Sequence, residues 1–196
     1  MLDLIEDIFE GDNDYRYIIG RSPIFFLGVN PSTAKPGTPD PTIRFVESNF
    51  DSWIMLNIYP QIASKPQNLV PESKFDQRIH EKNIESIISI IDKYSNKTIR
   101  IVAAWGDSIE ERRYLFSCLY KIVIEIKNKI KQIEWYRIGE LTKKGNPRHP
   151  SYYLKTGETN IKDKLIKFDI DEYFNILTRL RKFVVSHQKC GTQNNH

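Results

Sequence analysis

The chain has 196 residues, 40% of them hydrophobic and 28% charged, with a formal net charge of +4. That length builds one domain with a full core, and the balance is that of an ordinary globular protein rather than a disordered or fibrous one. No stretch approaches the run of about 18 apolar residues that a membrane span needs, and the opening MLDLIEDIFE is acidic, with too short an apolar part for a signal peptide.

In chain order, the first expected strand is YRYII (15–19), joined to IFFLGV (24–29) by GRSP, a turn-like link that predicts an antiparallel pair. PTIRFVESNF (41–50) reads as a helix, with Pro41 at its first position behind Asp40 as N-cap. WIMLNI (53–58) and IRIVAAW (99–105) are near-continuous apolar runs, the pattern of strands covered on both faces. Between them, residues 72–95 space Phe75, Ile79, Ile84, Ile87, Ile88 and Ile91 as a helix does. Residues 107–131 form another, opening on Asp107 with Glu110 three residues on as a capping box. IEWYRI (133–138) is a further strand, interrupted by Glu134 and Arg137, and DEYFNILTRLRKFVV (171–185) is the last helix.

Strands alternating with helices predict an α/β domain over residues 1–185. The expected architecture is a three-layer sandwich, its mainly parallel four-stranded sheet extended by an antiparallel N-terminal strand. Residues 186–196 read as a polar tail, expected to be flexible. Cys118 and Cys190 form no metal pattern, and Cys118 falls in an apolar helical stretch, so a reducing cytoplasm is the expected home. His80, His187 and His196 lack ligand spacing with any Cys or carboxylate pair, so no metal is expected. Eight lysines and arginines between Lys121 and Arg148 describe either a solvated helix face or a phosphate-facing surface.

Ligands of open α/β sheets bind beyond the carboxyl ends of the strands. Four successive strands deliver unusual residues to that rim: Asn30, Pro31, Ser32 and Thr33; Asn57 and Tyr59; Trp105, Gly106, Asp107 and Ser108; and a loop containing His149. Singly, each has a structural explanation. Asn30 can cap a turn, Asn57 can bond to backbone, His149 can be a surface residue, and Trp105 can be core. Asn57 nevertheless stands inside an apolar run, where an unpaired amide costs roughly 1–3 kcal/mol.

These residues carry a resemblance. GVNPST, MLN, AAWG and HPS are similar, in order and position, to the motifs of the uracil-DNA glycosylase-like superfamily. The whole pattern more closely resembles a bacterial and phage family labelled domain of unknown function 1643, whose signature Asn-Pro-Ser-Thr-Ala, Asp-Pro-Thr-Ile-Arg, Ala-Trp-Gly and Arg-His-Pro falls within residues 15–154. The glycosylase resemblance implies a fold of that kind and an N-glycosidic-bond hydrolase. Asn30 would position the attacking water, Asn57 would read the edge of an extruded base, His149 would stabilise the departing base, and Ser151 would touch a phosphate. Gly28, Pro31, Trp105, Gly106 and Arg148 belong to the same motifs and count as candidate substrate-binding residues, with Phe45, Tyr59 or Tyr152 for stacking.

Two departures qualify what is implied. Asn30 stands where fast enzymes of the superfamily carry aspartate, and an amide cannot take water's proton, which predicts slow catalysis or none. Asp40 is the nearest carboxylate, serving either as helix cap or as that base. The loop after His149 lacks an apolar wedge, which argues against damage search in duplex DNA. Three readings follow: a slow hydrolase acting on a base in nucleic acid or a nucleotide, a non-catalytic nucleobase or nucleic-acid binder, and an enzyme for a phosphorylated metabolite using Ser32, Thr33, Arg44 and Arg148 as anion ligands. None calls for a cofactor, and the oligomeric state stays open.

Overall fold

A computed structural model describes residues 8–21, 24–35 and 37–180. Its seven strands are β1 (Ile8–Gly11), β2 (Arg16–Arg21), β3 (Ile24–Gly28), β4 (Trp53–Asn57), β5 (Ile99–Ala103), β6 (Ile133–Ile138) and β7 (Leu165–Lys167). The helices are α1 (Pro41–Asn49), α2 (Gln77–Asp92), α3 (Tyr114–Lys129), α4 (Pro150–Lys155) and α5 (Ile170–Arg179). The strands form one sheet in the order β1-β2-β4-β3-β5-β6-β7. The middle four, β4, β3, β5 and β6, are parallel, while the flanking pairs β1–β2, β2–β4 and β6–β7 are antiparallel.

The apolar runs form strands because both their faces are covered. Phe25 and Leu27, Ile54 and Leu56, and Ile101 and Ala103 pack on the side of α2, α3 and α5. Their alternates Phe26, Met55 and Val102 pack on the side of α1 and α4. Successive side chains of a strand point to opposite faces, so a strand inside such a sandwich has no position left for a polar residue.

Three expectations need correction. The sheet has seven strands rather than five, because β1 and β7 carry too few apolar residues to announce themselves. The N-terminal strand is antiparallel as expected, but it pairs with β4, Ile19 opposite Met55, and not with β3. Gly20 permits that pairing: its φ is +146°, and a Cβ there would lie 2.3 Å from the Trp53 carbonyl oxygen. Asp107 caps no α-helix either. Residues Gly106–Glu111 form a 3₁₀ turn, and extended backbone at Arg112 (φ −139°) separates it from α3. Asp40 does cap α1, accepting from the Ile43 N–H at 2.9 Å. The expected last helix begins at Ile170 behind the Asp169 cap, and its stretch 181–185, like the tail 186–196, lies outside the described residues. Among the described residues, no helix is long and apolar enough to cross a membrane.

One buried polar residue makes stability depend on pH. His80 on α2 is 1% exposed, and neither ring nitrogen has a partner. Burial, with Lys121 adding to it, lowers its pKa from 6.5 to about 4. The unfolded chain therefore takes up a proton near pH 6.5 that the folded one refuses until about pH 4. The stability is fully present above pH 6.5 and is lost as pH falls toward 4, by roughly 3 kcal/mol for this residue. Urea melts between pH 7.5 and 4.5 should show the decline, and His80→Leu should reduce it, the remainder belonging to His149, whose pKa burial lowers in the same way. An unchanged slope in that variant would assign the decline elsewhere.

A candidate ligand cavity at the sheet switch point

The chain leaves β3 toward β4 through α1 on one face and leaves β5 toward β6 through α3 on the other. Such reversals open a crevice beyond the carboxyl ends of the strands. A cavity of about 300 Å³ lies there, at the small end of the range for small-molecule sites. Gly28, Asn30 and Ser32 after β3, Asn57 at the end of β4, Trp105 and Ser108 after β5, and His149 and Ser151 at the start of α4 all line it. Asp40, at the start of α1, completes that side.

Asn30 joins two loops. Its Nδ2 donates to the Pro31 carbonyl at 2.9 Å and to the Ala63 carbonyl at 2.8 Å, and the Ala63 N–H donates to the same Pro31 carbonyl. Both amide hydrogens are thereby committed, which leaves Oδ1 as the acceptor that this cavity-lining residue can offer. The turn-stapling role and the cavity position coexist in one residue.

Asn57 is 1% exposed. Its backbone carbonyl accepts from Asn83 Nδ2 of α2 at 2.8 Å, so α2 braces the end of β4 from behind. Its own Nδ2 has no partner. Gly28 lies opposite it on β3, where a Cβ would make ordinary contact with Asn57 Oδ1 at 3.6 Å. A buried donor without an acceptor costs about 1–3 kcal/mol, and here it sits in the wall of a cavity.

His149 is the N-cap of α4. Nδ1 accepts the Ser151 N–H at 3.2 Å and lies 2.8 Å from Ser151 Oγ. With Nδ1 accepting, the ring proton belongs on Nε2. Burial holds the pKa down from 6.5 to about 4, against the pull of the Asp40 carboxylate. At neutral pH the imidazole is therefore an uncharged hydrogen-bond donor.

A buried network sets the position of that histidine. Trp105 Nε1 donates to the Tyr173 hydroxyl at 3.1 Å, and Tyr173 donates to Asn146 Oδ1 at 2.8 Å. Asn146 Nδ2 in turn donates to Asp107 Oδ1 at 2.8 Å and Glu110 Oε1 at 3.2 Å. Gly106 closes the link, its N–H donating to the Pro147 carbonyl at 2.8 Å. Its φ of +58° suits glycine, and a Cβ there would sit 3.5 Å from His149 Cβ. Trp105, 1% exposed, is a core residue that also forms a cavity edge.

Other candidates lie outside the cavity wall. Tyr59 packs on the α2 and α3 side against Phe75 and Tyr114, where burial raises its pKa to about 12. Phe45 is core beneath α1. Arg148 lies over the Tyr152 ring at 3.9 Å and donates through Nε to the Glu140 carbonyl. Thr33 and Arg44 are exposed, and Pro31 is buried behind the Asn30 turn. The basic run 121–148 is divided among α3, β6 and the following loop, with Lys127 bound to Asp171 and Lys144 to Glu110.

The cavity also holds a charged residue that is absent from the sequence-based candidates. Arg16 opens β2, is 2% exposed, and donates from Nη1 to the Ala34 carbonyl at 2.8 Å. The signal was present: a charged residue within YRYII poses the same question as the amide within WIMLN.

The geometry defines a doubly wound α/β domain with a polar cavity, rich in donors, at its switch point. The chain belongs to the family described as "Protein of unknown function (DUF1643)", whose model matches residues 16–151. That span begins at Arg16 and ends at Ser151, so it encloses the whole cavity wall. No curated protein and no solved structure matches the chain. Among the described residues, no cluster of three or more His, Cys, Asp or Glu could hold a metal ion.

Proposed function

We propose that the cavity recognises a nucleobase or nucleotide, and that the reaction its residues favour is slow hydrolysis of an N-glycosidic bond. Asn57 carries this reading: a buried amide, its Nδ2 unpartnered, in the cavity wall. A carboxamide offers a donor and an acceptor side by side, as the edge of a pyrimidine does, so a base in the cavity supplies the missing partner. The resemblance to the uracil-DNA glycosylase-like superfamily at Asn30, Asn57 and His149 supports the same ligand class.

In this reading His149 donates from Nε2 to a carbonyl of the base. As the bond between the sugar C1′ and the base nitrogen breaks, its electron pair passes to the base. A neutral, preorganised donor stabilises the charge that grows on the carbonyl oxygen and keeps its own proton. A water accepted by Asn30 Oδ1 attacks C1′, and its proton goes to Asp40 or to solvent. The amide at position 30 orients that water without accepting the proton, which is why the reaction is slow.

Binding without hydrolysis is the second reading. It is favoured by Asn30, whose amide hydrogens are tied to loop carbonyls, and by Asp40, whose carboxylate caps α1. Incubation with oligonucleotides containing uracil or other modified bases separates the two. Hydrolysis should leave alkali-labile sites that His149→Ala reduces by about 10²–10³-fold in rate, with Asn30→Ala also impaired. A rise in melting temperature with free bases or nucleotides, and no strand breaks, selects the binding reading. Neither response would remove both.

A further inference from the structure

The cavity has two chemically different ends. One holds the uncharged donor of His149, next to Gly106 beyond β5. The other holds Arg16 on β2, tied to the loop after β4 by its N–H donating to the Pro60 carbonyl at 2.9 Å. β2, β4, β3 and β5 are consecutive in the sheet, so the backbones at the two ends lie about three strand spacings apart, roughly 14 Å at about 4.8 Å each, and the side chains reach inward from there, both within the influence of Asp40. A base held by His149 and Asn57 leaves the Arg16 end to another part of the ligand.

Arg16 is an unusual residue to bury for structure alone. A guanidinium has five N–H donors, and among the described residues the hydrogen bond it makes is Nη1 to the Ala34 carbonyl, while Nε is buried without an acceptor. Burial lowers its pKa from 12.5 to about 10, which leaves it fully cationic at neutral pH. Asp40 lies in the same wall and its negative charge opposes that lowering, but one of its oxygens is committed to the α1 cap. Buried charges are matched by opposite ones, and the planar fork of arginine suits the oxygens of a phosphoryl group.

We infer that Arg16 forms an anion subsite for a phosphoryl group of the ligand, with the Ser32 and Ser64 hydroxyls in the same cavity wall as further donors. The inference rests on the nucleobase reading for the other end of the ligand. It makes the ligand a nucleotide, either a mononucleotide carrying a phosphate monoester or a single-stranded nucleic acid offering a diester.

Titration calorimetry with uridine, cytidine, adenosine and guanosine, with their 5′-monophosphates, and with a short single-stranded oligonucleotide tests this. At least one monophosphate or the oligonucleotide should bind roughly ten- to a hundredfold tighter than the matching nucleoside, the gain expected of a hydrogen-bonded ion pair. Arg16→Met should erase that gap and leave nucleoside affinity within about twofold, and Arg16→Lys should keep part of it. Asp40→Asn, which preserves a good N-cap, should widen the gap by removing a like charge. A gap confined to the monophosphate assigns a monoester, and one confined to the oligonucleotide a diester.

Equal binding of nucleoside and nucleotide, or a gap that survives Arg16→Met in a variant with a normal melting transition, overturns the inference and leaves the nucleobase reading standing. If Arg16→Met does not fold, Arg16→Lys and Asp40→Asn decide. If nothing in the panel binds, the nucleobase reading has failed. Stabilisation of the wild-type chain by inorganic phosphate, absent in the Arg16 variant, then upholds the anion subsite, and its absence from both overturns that as well.

Discussion

Asn57→Leu is expected to leave the protein as stable as before, or more stable, while reducing nucleobase or nucleotide affinity at least about a hundredfold. The two effects have one cause. The side chain is 1% exposed and its Nδ2 donates to nothing, so the folded chain bears the desolvation cost of an amide without return, about 1–3 kcal/mol. Leucine, of similar shape, lifts that cost. The apolar neighbours Met55 and Gly28 accept it, and the brace from Asn83 reaches only the backbone carbonyl. Thermal melts with and without the tightest-binding compound of the nucleoside and nucleotide panel read both quantities. A loss of 2 kcal/mol or more in the unliganded variant would mean that Asn57 is structural, and the proposed recognition would lose its main support.

Asn146→Ala should have the largest effect on folding of any single change near the cavity, about 2–4 kcal/mol. Asn146 is 0% exposed and joins three groups: it accepts from the Tyr173 hydroxyl and donates to Asp107 and Glu110. Alanine leaves a buried hydroxyl and two carboxylate oxygens without that partner, whereas Tyr173→Phe removes a single hydroxyl and should cost about 1 kcal/mol. Because the loop from Thr142 to His149 hangs on this network, Asn146→Ala should also weaken ligand binding in molecules that still fold. Urea melts of both variants, and of the pair together, would show whether the couplings are shared. A near-neutral Asn146→Ala would mean that the loop is held by other contacts, the Gly106 to Pro147 bond first among them.

Residues at the cavity differ in how plainly they could be read from the chain. Asn57 stood out because an amide inside an apolar run has no ordinary place in a strand covered on both faces. Arg16 follows the same rule but is less legible, since YRYII also fits an edge strand with one face in water. Asp40 was legible as a helix cap from its place before Pro41, and its position in the cavity wall adds to that role. Tyr59 lay close in sequence to Asn57, but it belongs to the opposite layer, packed against Phe75 and Tyr114. The hydroxyl of Ser64 carried no signal, for serines are common in loops of any function, whereas Ser108 was marked by its place just beyond a strand end.

By itself the sequence determined the parallel centre of the sheet, the helix α1 with its Asp40 cap, the existence of α2 and α5, and the rim where amides and histidine gather. These follow from short-range physics: apolar runs long enough to be strands, helical spacing, and N-caps that satisfy the first turn. Only the tertiary structure decided that β2 pairs with β4, that Asp107 serves a loop network and not a helix start, and that Arg16 shares a cavity with His149. Those outcomes depend on partners distant in the chain. Side chains 133 positions apart, as Arg16 and His149 are, face the same space because strand order brings them there, and local propensity carries no record of strand order.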